Sequence, residues 1–141
     1  MQKVLLAVDG SDNSLRAVAY LVKRASTAKE QYQVSLVNVQ YALHGTVATF
    51  INAQQLKQFH QEEGSKAIAQ AQAALEAAGI ACTQHLFIGE PAETITRFAR
   101  EQACDEIIIG SRGLSAIGSL LVGSVATKIV HLAGVPVVLV K

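Results

Sequence analysis

Three glycines and their neighbours form the part of this chain best suited to chemistry. Gly110, Gly113 and Gly123 stand in the spacing Gly-x2-Gly-x9-Gly, and Ser124 follows at once. A missing side chain at Gly110 lets a ligand approach the backbone, and Gly113 is expected to supply the positive φ of a tight turn. Gly123 removes a Cβ just before a helical pattern, whose first-turn amides at Ser124 and Val125 have no intrahelical acceptor. Such amides, at the positive end of a helix dipole, suit an anion, and phosphate is the chemistry that fits. Arg112, between the first two glycines, can reach a terminal phosphate. Asp9, directly after the first apolar run, is a turn-former beside Gly10, a partner for a base or ribose, or a Mg²⁺ ligand. Ser11 is read as a helix cap rather than a ligand contact.

Other chemistries lack their parts. There is no GxxxxGK[ST], so no P-loop lysine reaches a phosphate, and no GxGxxG follows the first strand. His44, His60, His85 and His131 show no metal-ligand spacing and no partnering Cys or carboxylate cluster. Cys82 and Cys104 stand in no metal or redox motif and are read as reduced core thiols. No Ser or Cys has a base at motif spacing.

The elements that must hold the glycines follow from apolar periodicity. Lys3–Val8, Gln33–Val39, Ile80–Ile88, Glu106–Ile109 and Val137–Val140 read as strands, the first a continuous apolar run buried on both faces. Helical spacing joins Leu15, Val18, Val22 and Ala25, with Asp12 or Asn13 as further cap candidates. A long helix over about 53–78 would bury Leu56, Phe59, Ala67, Ile68, Ala71, Leu75 and Ala78, with Gly79 as its stop. Pro91 opens a third helix that buries Ala92, Ile95, Phe98 and Ala99. The last runs from about Ser124 to Leu132 with Val125, Ile129 and Leu132 inward. Gln40–Asn52 is irregular and reads as a loop, and Leu114–Val122 is an apolar segment read as packing, a lid or a partner surface.

Strands alternating with helices predict an α/β domain, parallel and right-handed in its crossovers, spanning residues 1–141. Ligands in such sheets bind beyond the C-terminal strand ends, which singles out the loops after strands one and four. The length of 141 residues suits one core, and half the residues are apolar. A net charge of +1 invites neither nucleic acid nor anionic membrane, and no apolar stretch nears the roughly 20 residues of a membrane span. Met1-Gln2-Lys3 runs straight into a strand without a signal-peptide layout, so a cytoplasmic location is expected.

With these residues in view, the chain resembles the universal stress protein family (the UspA-like domain), and G110-x2-G113-x9-G123-S124 resembles its ATP-binding signature. KVLLAVDGSDNS resembles the family's first strand and turn, LVNVQ its second strand, and GVPVVLVK its closing strand. The resemblance implies a single three-layer, Rossmann-like domain of the adenine nucleotide α-hydrolase type. Its five-stranded parallel sheet would run in the order 3-2-1-4-5 with four helices. It implies that Ala7, Val8 and Asp9 border adenine, that Val39 walls the base, and that Ile109 and Gly110 lie near the ribose. Arg112, Gly113, Gly123, Ser124 and Val125 match the phosphate cradle. Ala126 stands where a hydroxyl residue would add a contact.

The ligand implied is ATP, with ADP or AMP as alternatives and Mg²⁺ accompanying a triphosphate. The partner implied is a second copy, paired through Val137, Val138, Leu139 and Val140, an apolar edge that is otherwise an aggregation hazard. With no P-loop lysine and no evident base, slow hydrolysis at most is expected of a stress-response or regulatory protein. Two other readings compete. One is a dimerising interaction module without ligand. The other is an AMP-transferring enzyme of the α-hydrolase type, to whose SGGxDS loop the sequence VDGSDNS is a partial likeness.

Overall fold

A computed structural model describes residues 1–42, 52–113 and 121–141. Nine elements alternate along these residues: β1 (Gln2–Ala7), α1 (Asp12–Thr27), β2 (Tyr32–Gln40), α2 (Ala53–Ala77), β3 (Ala81–Ile88), α3 (Pro91–Glu101), β4 (Glu106–Gly110), α4 (Ser124–Leu132) and β5 (Val137–Val140). All strand pairs are parallel, and the sheet order is β3-β2-β1-β4-β5. The expected α/β domain and strand order are therefore observed, with four helices among the described residues.

The pleat of β1 divides the core. Val4, Leu6 and Val8 face one way and pack with Ala17, Val18 and Leu21 of α1 and Ile68, Ala71 and Leu75 of α2. Leu5 and Ala7 face the other way, against Ala92, Ile95, Phe98 and Ala99 of α3 and Ile129 of α4. Successive side chains of a strand alternate faces, so a strand covered on both sides must be apolar throughout.

Several helix faces differ from expectation. On α1 the buried stripe is Ser14, Ala17, Val18 and Leu21, with Leu15, Val22 and Ala25 at its flanks. On α2, Phe59 and Ala78 lie outside, while His60 and Gly64 turn inward. Gly64 belongs there because a Cβ would collide with the Leu86 side chain. On α4, Leu132 is exposed and Ala126 takes the inward position. The cap of α1 is Ser11, whose Oγ accepts from the Ser14 amide at 3.1 Å, so Asp12 and Asn13 begin the helix rather than cap it. Residues 43–51 of the Gln40–Asn52 segment and 114–120 of the Leu114–Val122 segment lie outside the described residues.

An ion pair closes the lower end of the sheet. Glu106, at the start of β4, is only 7 % exposed. Arg24 of α1 grips both its carboxylate oxygens, donates to the Tyr32 hydroxyl at 3.1 Å and lies over the Tyr20 and Tyr32 rings. A charge this deep is tolerated only when hydrogen-bonded and paired. Glu106→Ala is expected to lower unfolding free energy by about 2 kcal/mol, because it strands the guanidinium. In a denaturant titration Arg24→Ala and the double mutant should then be less than additive.

On the edge strand β3, His85 packs 4.6 Å from the Phe98 ring, and burial pushes its pKa below the ordinary 6.5. A lowered folded pKa means the unfolded chain binds more protons. Stability is full above about pH 6.5 and is lost as pH falls through the folded value. His85→Leu should flatten this acid limb of a Tm-against-pH curve relative to the unmodified protein.

Candidate functional site

At the C-terminal ends of β1 and β4 the sheet opens into a cavity of about 410 Å³. The opening follows from topology: β1 leads to α1 on one face, whereas β4 leads towards α4 on the other. All eleven residues singled out from sequence lie around this one cavity. Ala7, Val8 and Asp9 come from β1 and its turn, and Val39 from β2. Ile109, Gly110, Arg112 and Gly113 come from β4 and its loop, and Gly123, Ser124 and Val125 from the start of α4.

One half of the cavity is an apolar slot walled by Ala7, Val37, Val39, Ile95, Pro91 and Ile109. Its polar rim is set by backbone alternation. The Val8 amide donates to Val37 O at 2.9 Å, and the Gly89 amide donates to Gln40 O at 2.9 Å. Odd positions of β2 thus direct their peptide groups towards β1 and even positions towards β3. Val39 therefore presents its N–H and C=O where β1 has already ended. The Val8 carbonyl is taken by the buried Asn38, whose Nδ2 donates to it at 2.8 Å, and Gln40 Nε2 donates to Asn38 Oδ1 at 2.8 Å.

The other half is built of main chain. The Ser111 amide donates to Val140 O at 2.7 Å, and the Gly123 amide donates to Ser111 O at 2.6 Å. This second bond pinches the loop shut at its base and delivers α4 to the cavity. Side chains cap the other three helices: Ser11 on α1, Asn52 on α2, and Glu90 on α3, which accepts from Ala92 and Glu93. At Gly123 no side chain does so among the described residues. Ser124, Val125 and Ala126 line the cavity, and among the described residues no side-chain cap competes for their amides. Asp9 Oδ1 accepts from the Ser11 amide at 2.9 Å, an Asx turn that steers the carboxylate towards the glycine loop rather than only the slot.

The glycines have reasons that the sequence did not suggest. A Cβ on Gly110 would lie 2.6 Å from Asn13 Oδ1 and 2.9 Å from the Asn13 backbone. The space is filled by the start of α1, not left for a ligand. Gly113 is not at positive φ; among the described residues Gly10, Gly79 and Gly89 are the glycines in that region. Its hydrogen is needed because a Cβ would stand 2.5 Å from Asp9 Oδ2. Sequence reading also missed Ser14, Val37, Asn38, Gln40, Tyr41, Pro91, Ile95 and Ser111 as lining residues. Ser111, inside the glycine spacing, and Asn38 and Gln40, flanking Val39, are the ones that position alone could have flagged. Ala126 is buried, so its methyl group closes the floor where a hydroxyl was considered.

Comparison with known proteins adds to this geometry. The sequence profile of the Universal stress protein family matches residues 1–141. The universal stress protein YxiE of Bacillus subtilis is 30 % identical over 99 % of this chain and 98 % of its own length. The solved structure of MJ0577, from Methanocaldococcus jannaschii, superposes with a TM-score of 0.86 at 26 % identity, covering 99 % of this chain and 95 % of that one. Two more distant structures of the fold were solved with nucleotide. One is an Arabidopsis thaliana family protein with AMP (TM-score 0.71, 20 % identity, 100 % and 92 % coverage). The other is an Archaeoglobus fulgidus protein with dAMP (TM-score 0.67, 24 % identity, 100 % and 98 % coverage).

The glycine geometry makes a graded test. Gly110→Ala must displace helix backbone and should cost about 1–3 kcal/mol in stability. Gly134→Ala meets nothing within 4 Å and should leave the thermal midpoint nearly unchanged. Gly113→Ala, opposed among the described residues by the Asp9 carboxylate, should fall between them in the same melting experiment.

Proposed function

We propose that this chain, which belongs to the universal stress protein family, holds an adenine nucleotide in the cavity between β1 and β4, with ATP as the ligand. The observation that carries the reading is the pairing, in one cavity, of an apolar slot with a helix start that no described side chain caps. Adenine offers a donor at N6 beside an acceptor at N1, and the C=O and N–H of Val39 form the matching pair. Guanine presents the reverse order along the same edge. The base stacks among Ala7, Val39 and Ile109, the ribose lies by Gly110, and the phosphates meet the amides of Ser124 and Val125. Arg112 supplies the positive charge, and Gly113 and Gly123 let the loop close against Asp9 and Ser111 so that it cradles the phosphates. Support from outside the chain comes from the AMP and dAMP bound by its more distant structural neighbours.

Asp9 is the one carboxylate among the described lining residues. Its oxygens suit Mg²⁺, which would offset the repulsion between this side chain and a polyphosphate. Neither lysine nor histidine lines the described cavity. The parts favour holding nucleotide over turning it over, with slow hydrolysis at most. We read the protein as a cytoplasmic regulator whose occupancy follows the nucleotide pool. Its second copy joins at the β5 edge through Val137, Val138, Leu139 and Val140. No helix of the described residues is long and apolar enough to cross a membrane.

Thermal melts with ATP, AMP and GMP, alongside acid extraction of the purified protein, test this reading. A ligand at a hundredfold excess over its Kd adds about 2.7 kcal/mol to the folded state. ATP or AMP should raise the midpoint by several degrees and GMP much less. No shift with either adenine nucleotide and an empty extract would sink the proposal. Sedimentation of the same samples should show a dimer, and a monomer at all concentrations would remove the β5 pairing alone.

A further inference from the structure

Asn13 lies in the first turn of α1, a position where asparagine has no helix-forming merit and its neighbour Ser11 already supplies the cap. Its side chain is nonetheless buried, 8 % exposed, and reaches across to the β4 loop. Oδ1 accepts from the Arg112 amide at 2.7 Å, a bond spanning 99 positions of sequence. The same oxygen and the Asn13 backbone occupy the space beside Gly110. The Arg112 amide can only donate, so the oxygen of the Asn13 side chain must face it. Asn13 therefore removes one loop amide from the set offered to an anion and fixes the peptide between Ser111 and Arg112.

We infer that Asn13 is a positioning residue for the anion-binding half of the cavity. It latches the first strides of the glycine loop to α1 so that Arg112 and the amides of α4 converge on one point. The residue is suited to this in two ways. Asparagine is short enough to bridge from the first turn of a helix whose side chains lean back towards its N-terminus. It is also neutral, so the latch adds no second carboxylate beside Asp9 at a site for phosphate. The pinch acts on the same peptide, since Ser111 O, which accepts from the Gly123 amide, is its carbonyl oxygen. A loop released at Arg112 would carry that pinch with it, and the start of α4 would lose its register against the slot. The walls of the slot, by contrast, come from β1, β2, β4 and α3, and the bond from Asn13 to the Arg112 amide does not reach them.

The functional half of this inference rests on the nucleotide reading, and the test separates the two. Amide hydrogen exchange is measured on the unliganded protein, its Asn13→Ala variant and its Asn13→Asp variant. The Arg112 amide should be protected in the unmodified protein and exchange at least tenfold faster in Asn13→Ala, with the β4 amides unchanged. Asn13→Asp, which retains the acceptor oxygen, should restore protection. Asn13→Ser stands in if alanine unfolds the chain. Binding of AMP and of adenosine is then compared. Asn13→Ala should weaken AMP about tenfold and adenosine by less than twofold, whereas a merely structural residue would leave both affinities of the folded protein alike. An unprotected Arg112 amide in the unmodified protein, or equal losses for AMP and adenosine, overturns the inference. If the unmodified protein binds neither probe, the nucleotide reading and the anion-positioning role fall together, and the exchange data still decide whether the latch exists.

Discussion

The structure depends on β1 being paired on both of its edges. It bonds β2 along one side and β4 along the other, and Val4, Leu5 and Leu6 are wholly buried between two pairs of helices. A strand in that position cannot carry its own chain straight on, since both neighbours run parallel to it. The chain must leave β1 over one face and β4 over the other. The cavity is the gap that this divergence opens, and β2 and α3 supply the rest of its wall. Topology thus makes the cleft before any side chain decorates it.

What holds the cleft in shape is mostly main chain. Ser111 links the loop to β5 through its amide and to α4 through its carbonyl. Side chains then fix single peptides: Asn38 holds the end of β1, and Asp9 shapes the turn after it. Glycines are required where these pieces meet, because a methyl group at Gly110 or Gly113 would intrude on α1 or on Asp9. Small residues here serve the fit of protein to protein, and a ligand benefits from the result at second hand.

The strands and helices were legible in sequence because burial on both faces writes a simple apolar code. Each strand was found to within a residue or two. Strand ends and glycine spacing led to Asp9, Gly110, Arg112, Gly113, Gly123, Ser124 and Val125, whereas Ala7, Val8, Val39 and Ile109 came from the family resemblance. Legibility failed where the partner was remote. Nothing around Arg24 announces Glu106, 82 positions away, and nothing around Asn13 announces Arg112. It failed too on helix faces where a polar or small residue takes an apolar place. His60 is buried and Phe59 beside it is not, an order that hydrophobicity reads backwards. Gly64 is inward for steric reasons that reside in Leu86. A periodic pattern finds the helix but not the angle at which tertiary packing turns it.

The bond from the Ser111 amide to the Val140 carbonyl has a mechanical consequence. β5 is a sheet edge only four residues long, and its last peptide is hinged directly to the mouth of the cleft. A load applied along that edge, by a neighbouring strand or by a pull on the C-terminus, is borne by the same joint that sets the loop's spread. The β5 edge is in effect the handle of the clasp, and tension on it is felt as aperture at the loop.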